Sequence, residues 1–228
     1  NQVVVNAIEF PSKCFGKTFP CALRTELQKS HIDLKDFSLT MGPHTVIVYN
    51  AESDVTILEG VVWVESQSKL PEKFKVQSLY GSVVGAGQFW VKKESAQVRT
   101  GVIDDQVRIL LRSGEELALI AGMENWFGPI ENSKSTSGIP RSISLGEQLQ
   151  LWASLSSQTK SVLVVKMREF VQRWTKTLEP LSHIHKELAV RQVASFLAAE
   201  KEKAERLREI AGREAYFRKM FRKQNFVD

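Results

Sequence analysis

Residues 46–66, VIVYNAESDVTILEGVVWVES, and residues 88–111, QFWVKKESAQVRTGVIDDQVRILL, carry one pattern twice. In the first copy Val46-x-Val48 is followed by Val55, Ile57-Leu58-Glu59-Gly60 and Val62-x-Val64. In the second, Phe89-x-Val91 is followed by Val98, Val102-Ile103-Asp104-Asp105 and Val107-x-Ile109. The offset is 43 at the start and 45 at the end, so two residues are inserted between. Period-two alternation of β-branched and aromatic residues is the signature of half-buried strands. Acidic and turn-forming residues stand at the same place in each copy, which reads as a strand, a tight turn and a returning strand, made twice.

Working outward, more short strand-like runs appear at Phe74–Leu79 and Glu116–Ile120, each closed by Gly, Asn, Asp or Ser. Closely spaced short strands predict a mainly β domain, as a short-strand sandwich or as stacked β-turn repeats. Residues 129–143 are rich in Pro, Ser, Gly and Thr and read as a linker. Beyond them the period becomes helical. Ser144 and Glu147 have capping-box spacing. Leu163, Met167, Phe170, Trp174 and Leu178 recur every three or four residues, the stripe of an amphipathic helix. Pro180 suits the first turn of a further helix reaching about residue 223, roughly 65 Å long. The organisation expected is a β-rich domain at 1–128, a linker at 129–143 and an all-α region with one long helix at 144–228. The β-part is expected to fold without the helices.

Charge divides at the same place. Residues 1–140 carry 14 Lys+Arg against 16 Asp+Glu, whereas residues 141–228 carry 17 against 10. The surplus of the second part concentrates at its end, where Arg213, Arg218, Lys219, Arg222 and Lys223 alternate with Tyr216, Phe217, Met220 and Phe221. Such a helix end can dock on protein, lie on an anionic membrane surface or bind nucleic acid. The candidate binding residues there are Tyr216, Phe217, Phe221, Arg218, Arg222 and Lys223. Trp63 and Trp90, on the repeated strands, are either core or a binding patch.

No enzyme signature is found: G-x-S-x-G, H-E-x-x-H and Walker loops are missing from the sequence. Gly85-Ala86-Gly87 precedes a strand, so its amides cannot form a helix-end phosphate cradle. His183 and His185, two apart, would point apart on a helix and could not share a metal. No catalytic residue, metal or cofactor is therefore expected. No run of about 18 apolar residues occurs that could span a membrane. Cys14 and Cys21 enclose a short loop containing Gly16 and Pro20. They form a disulfide in an oxidising compartment or stay free thiols in a reducing one.

The stretch from about residue 45 to 127 resembles the FecR domain, a periplasmic domain of bacterial iron-signalling regulators, and residues 74–110, FKVQSLYGSVVGAGQFWVKKESAQVRTGVIDDQVRIL, followed by GEELALIAGMENW at 114–126, carry the likeness. The resemblance rests on Gly81, Gly85 to Gly87, Phe89-x-Val91, Val98, Val107-x-Ile109, Leu117-x-Leu119 and Ala121-Gly122. It departs at Ala86-Gly87-Gln88, where a Gly-Thr pair is usual. The cytoplasmic anti-sigma segment and the membrane helix of those regulators are not in these residues, so the expectation is a soluble envelope protein of this kind. The resemblance implies periplasmic placement after removal of a signal sequence, and with it the Cys14–Cys21 disulfide. It further implies binding rather than catalysis, to an envelope protein or a cell-wall component, with the helices available for a homodimer.

Overall fold

Four strands, β1 (Cys21–Arg24), β2 (Ser30–Asp33), β3 (Phe37–Met41) and β4 (Val46–Ala51), lead into the 13-residue β5 (Asp54–Ser66). Then come β6 (Phe74–Gln77), β7 (Gly81–Gly85), β8 (Gln88–Glu94), β9 (Gln97–Asp104), β10 (Gln106–Leu111), β11 (Glu116–Ile120) and β12 (Met123–Pro129). Two short strands, β13 (Ser135–Ser137) and β14 (Arg141–Ser142), precede the helices α1 (Leu145–Leu155), α2 (Lys160–Leu178) and α3 (Ser182–Gln224). This computed structural model describes residues 19–34, 36–67, 73–129, 135–156, 158–179 and 182–224; in α3 it describes the side chains of residues 194, 197, 198 and 201–220.

The strands form one hydrogen-bonded sheet that curls on itself, not two separate sheets of a sandwich. β5 makes the curl. Its first half pairs with β4 antiparallel and β6 parallel, and its second half pairs with β3 and β8. The bend lies at Gly60, whose φ of +86° suits glycine alone. A Cβ there would also stand 2.3 Å from Thr45 Oγ1. Thr45 repairs the ladder at the bend: its hydroxyl donates to the Val61 carbonyl at 3.1 Å and accepts from the Val61 N–H at 3.0 Å.

The second copy of the repeat crosses in the same manner. β9 pairs with β8 and β12, whereas β10 pairs with β7 and β11. Between them stands Asp105 at φ +67°. So the expected strand–turn–return at Glu59-Gly60 and Asp104-Asp105 is corrected. Each copy is a hairpin, β4–β5 or β8–β9, whose second strand continues across to the other wing through a left-handed corner. The repeat survives with a shifted first strand: Ile47 and Tyr49, not Val46 and Val48, join Phe89 and Val91 in the core. Val55, Ile57, Val62, Val64, Val98, Val102, Val107 and Ile109 fill the same interior.

The outer face of the second wing is apolar as well. Val61, Trp63, Trp90 and Ile103 form a second core with Ile143, Leu155, Met167 and Trp174. The α2 stripe is buried as its spacing predicts, at Leu163, Met167 and Trp174. Burying each such side chain stabilises by about 1.5–3 kcal/mol. The chain accordingly divides into two compact units, Asn1–Leu181 and Ser182–Asp228. In this division α1 and α2 go with the sheet, one face of which they cover against water. Part of the expected linker is sheet: β13 and β14 pair with the edge of β12. Serine, threonine and arginine serve there because an edge strand needs backbone hydrogen bonds more than apolar side chains.

Candidate interaction surfaces

Sheet and helices meet along an aromatic seam. Trp63 stacks on Trp152 at 5.8 Å, Trp152 meets Phe170 at 5.7 Å, and Phe170 stacks on Trp174 at 6.0 Å. Ring spacings near 6 Å lie in the favourable range for aromatic pairs. The Arg173 guanidinium covers Phe170 at 4.6 Å. Two indole N–H groups are satisfied within the seam. Trp174 Nε1 donates to the Ile103 carbonyl at 2.9 Å, and Trp90 Nε1 donates to Gln148 Oε1 at 2.8 Å. Room for Trp90 comes from Gly101, where a Cβ would meet its indole at 2.6 Å.

Trp63 and Trp90 are 5% and 3% exposed, so the structure places both in the core. Trp63 alternates with Val62 and Val64, and Trp90 with Phe89 and Val91, because each strand is covered on both faces. The edge of Trp63 still borders an open groove of about 310 Å³ with His31, Thr40, Glu65, Trp152 and Gln158. An adjoining groove of about 270 Å³ adds Gln88, Lys166 and Glu169. Their polar rim is already engaged in part: His31 Nδ1 lies 2.9 Å from Thr40 Oγ1, and Gln88 Nε2 donates to Glu65 at 2.7 Å.

An ion cluster ties α1 to the sheet. Glu124, nearly buried, accepts from Arg141 at 2.7 Å and from Arg99 at 3.3 Å. Arg99 also donates to Glu147 at 2.8 Å. That bond and the guanidinium charge hold the Glu147 carboxyl below its ordinary range. Glu147 is therefore drawn to the sheet, and the capping box read from Ser144 and Glu147 is not formed: Ser144 makes no side-chain cap bond. Sequence reasoning missed this cluster and Gln148. The available signal was Glu124 within the apolar strand around Met123 and Phe127, since a carboxylate there needs a cation.

The basic-aromatic residues fall in the other unit. Tyr216 and Phe217 are 61% and 57% exposed and touch each other edge to face at 6.1 Å. Arg218 is exposed and pairs with Glu214 at 3.7 Å. The side chains of Phe221, Arg222 and Lys223 lie outside the described residues. The two tryptophans belong to the first unit and the helix-end residues to the second. Cys21, the first residue of β1, is disulfide-bonded; Cys14 lies outside the described residues. Among the described residues no group of three His, Cys, Asp or Glu could hold a metal, and no helix is long and apolar enough to cross a membrane.

No family model and no curated protein matches the chain. Among solved structures it is similar to two of a proposed anti-sigma factor from Parabacteroides distasonis. The first aligns with a TM-score of 0.48 at 15% identity, over 58% of this chain and 65% of that one. The second aligns with a TM-score of 0.47 at 16% identity, over 57% and 64%. The chain spans just under two thirds of the length of these structures.

Proposed function

We propose that this chain is a non-catalytic interaction module of the bacterial envelope, FecR-like in its β-part, which makes its contacts through α3. The observation that carries the reading is the set of large apolar side chains that this helix leaves exposed. Leu197, Leu207, Ile210, Tyr216, Phe217 and Met220 are each between 46% and 61% exposed. Soluble chains seldom leave so many large apolar side chains of one helix uncovered. The repeated hairpin-and-crossing pattern and the glycines at 81, 85 and 87 support the FecR-like part. The disulfide at Cys21 supports an oxidising compartment such as the periplasm. The aromatic seam and the ion cluster support a fixed platform, since they leave the sheet's second wing sealed by helices.

Photo-crosslinking tests the contact role. A benzophenone amino acid replaces Leu197 or Leu207 in the full chain, and Arg108, exposed on β10, serves as the control position. Irradiation in an envelope preparation is expected to give adducts from positions 197 and 207 and not from 108. Adducts at all three positions alike, or at none while the protein remains folded, would overturn the reading.

A further inference from the structure

Within α3 two stretches differ in chemistry. Residues 182–212 carry six Lys+Arg and five Asp+Glu, a nearly neutral mixture. Residues 213–223 carry five Lys+Arg and one acid. In the neutral stretch cations and carboxylates meet along the helix, as Arg206 and Glu202 do at 2.5 Å. In the basic stretch only Glu214 is available, and it lies 3.7 Å from Arg218. Lys219 has no carboxylate of its own stretch left to meet.

At about 100° per residue, Ile210, Tyr216, Phe217 and Met220 fall within one arc of roughly 120° on the helix. Arg218 and Lys219 project from the other side, and the sequence continues the same alternation through Phe221, Arg222 and Lys223. Arg213 falls inside the same arc, between Ile210 and Tyr216, where its aliphatic stem can lie along the apolar side chains while the guanidinium reaches polar surroundings. All four apolar residues of the arc are exposed, at 54%, 61%, 57% and 46%.

We propose that the end of α3, from Ile210 onward, lies on an anionic phospholipid surface. The inference rests on the reading of α3 as the contact helix and names what its last turns contact. Tyr216, Phe217 and Met220 would enter the boundary between headgroups and acyl chains, while the flanking cations meet lipid phosphates. Charge selects this occupant. A second copy aligned on the same stretch would bring two surpluses of four positive charges together. A duplex would use the cations and leave the apolar arc in water.

The test is co-sedimentation of the full chain with vesicles of phosphatidylglycerol and phosphatidylcholine, against phosphatidylcholine alone. Binding is expected to be at least about tenfold stronger to the anionic vesicles and to weaken as salt is raised. Phe217→Asp is expected to abolish it and Phe217→Leu to keep it. Arg218→Glu with Lys219→Glu should weaken it by about tenfold or more. Circular dichroism confirms that each variant keeps its helix. Equal binding to neutral vesicles, no binding to either, or salt-sensitive retention of duplex DNA in place of vesicle binding would overturn the proposal. If crosslinks from positions 197 and 207 persist without vesicle binding, the contact helix stands and only its lipid partner falls. If both are lost, the contact reading falls with it.

Discussion

α2 and α3 both carry large apolar side chains, and these meet opposite fates. In α2, Leu163, Met167 and Trp174 are 0%, 7% and 5% exposed. In α3, Leu207, Ile210 and Phe217 are 59%, 54% and 57% exposed. The difference lies less in the helices than in what faces them. The second wing presents Val61, Trp63, Trp90 and Ile103, an apolar field with indole N–H groups and the Ile103 carbonyl ready to be satisfied. α2 answers with a tryptophan that donates to that carbonyl, and α1 answers with a glutamine that accepts from Trp90. Amphipathic spacing says that a helix has a face to bury. Complementary polar groups say where it is buried.

Substitutions along each helix should separate the two. Trp174→Ala empties a buried site and removes a hydrogen bond, and should cost about 3–5 kcal/mol in denaturant unfolding. Leu207→Ala should cost well under 1 kcal/mol of the same transition, since surface changes are nearly neutral. A comparable loss at both positions would erase the contrast.

Cys21 of the first region is disulfide-bonded, and Cys14 is proposed as its partner. The pairing is expected to give a mass two hydrogen atoms below that of the dithiol form under native, non-reducing conditions. Reducing it should destabilise Asn1–Leu181 by about 2.5 kcal/mol from loop entropy. Two thiols alkylated without reductant would remove that contribution from the account.

A smaller effect is expected at Gln148→Leu, which leaves the buried Trp90 N–H without its acceptor. The cost should be about 1–3 kcal/mol, and Trp90→Phe on the same background should recover part of it. A neutral Gln148→Leu would show that the glutamine is incidental to how α1 seats.

The smallest effect concerns the tie from α1 to the sheet. The Glu147 carboxyl is held below its ordinary value of 4.5, chiefly by its hydrogen bond from Arg99 and then by that residue's charge. Because the folded value is the lower one, the contribution is present above pH 4.5 and is lost as pH falls through the depressed value. A carbon NMR titration should show Glu147 titrating below 4.5 and returning upward in Arg99→Gln. An unchanged midpoint in that variant would assign the shift elsewhere.

Much of the fold was legible in the residues. Alternation located the strands of both repeat copies, and spacing located α2 because its stripe is unbroken from Leu163 to Leu178. Partners were less legible. Period-two alternation states which side chains share a face and is silent on which strand lies alongside, so Glu59-Gly60 and Asp104-Asp105 read as hairpin turns when each is a corner between wings. β13 and β14 escaped because edge strands held by backbone bonds need no apolar code. The capping box failed because Arg99, distant in sequence, competes for Glu147. Of the candidate site, the exposed basic-aromatic end of α3 was visible in composition alone. The fate of Trp63 and Trp90 was not, since a strand apolar on both faces is consistent with a covered face or an open patch until the helices are placed.

Thermal unfolding of two truncated chains, one ending at residue 181 and one at residue 143, tests the central claim that the strands and first two helices are one folding unit and α3 is another. The chain ending at 181 is expected to melt cooperatively within a few degrees of the full chain, while the chain ending at 143 loses its cooperative transition because Val61, Trp63, Trp90 and Ile103 are uncovered. A chain ending at 143 that melts like the full protein, or a chain ending at 181 that no longer folds, would contradict it.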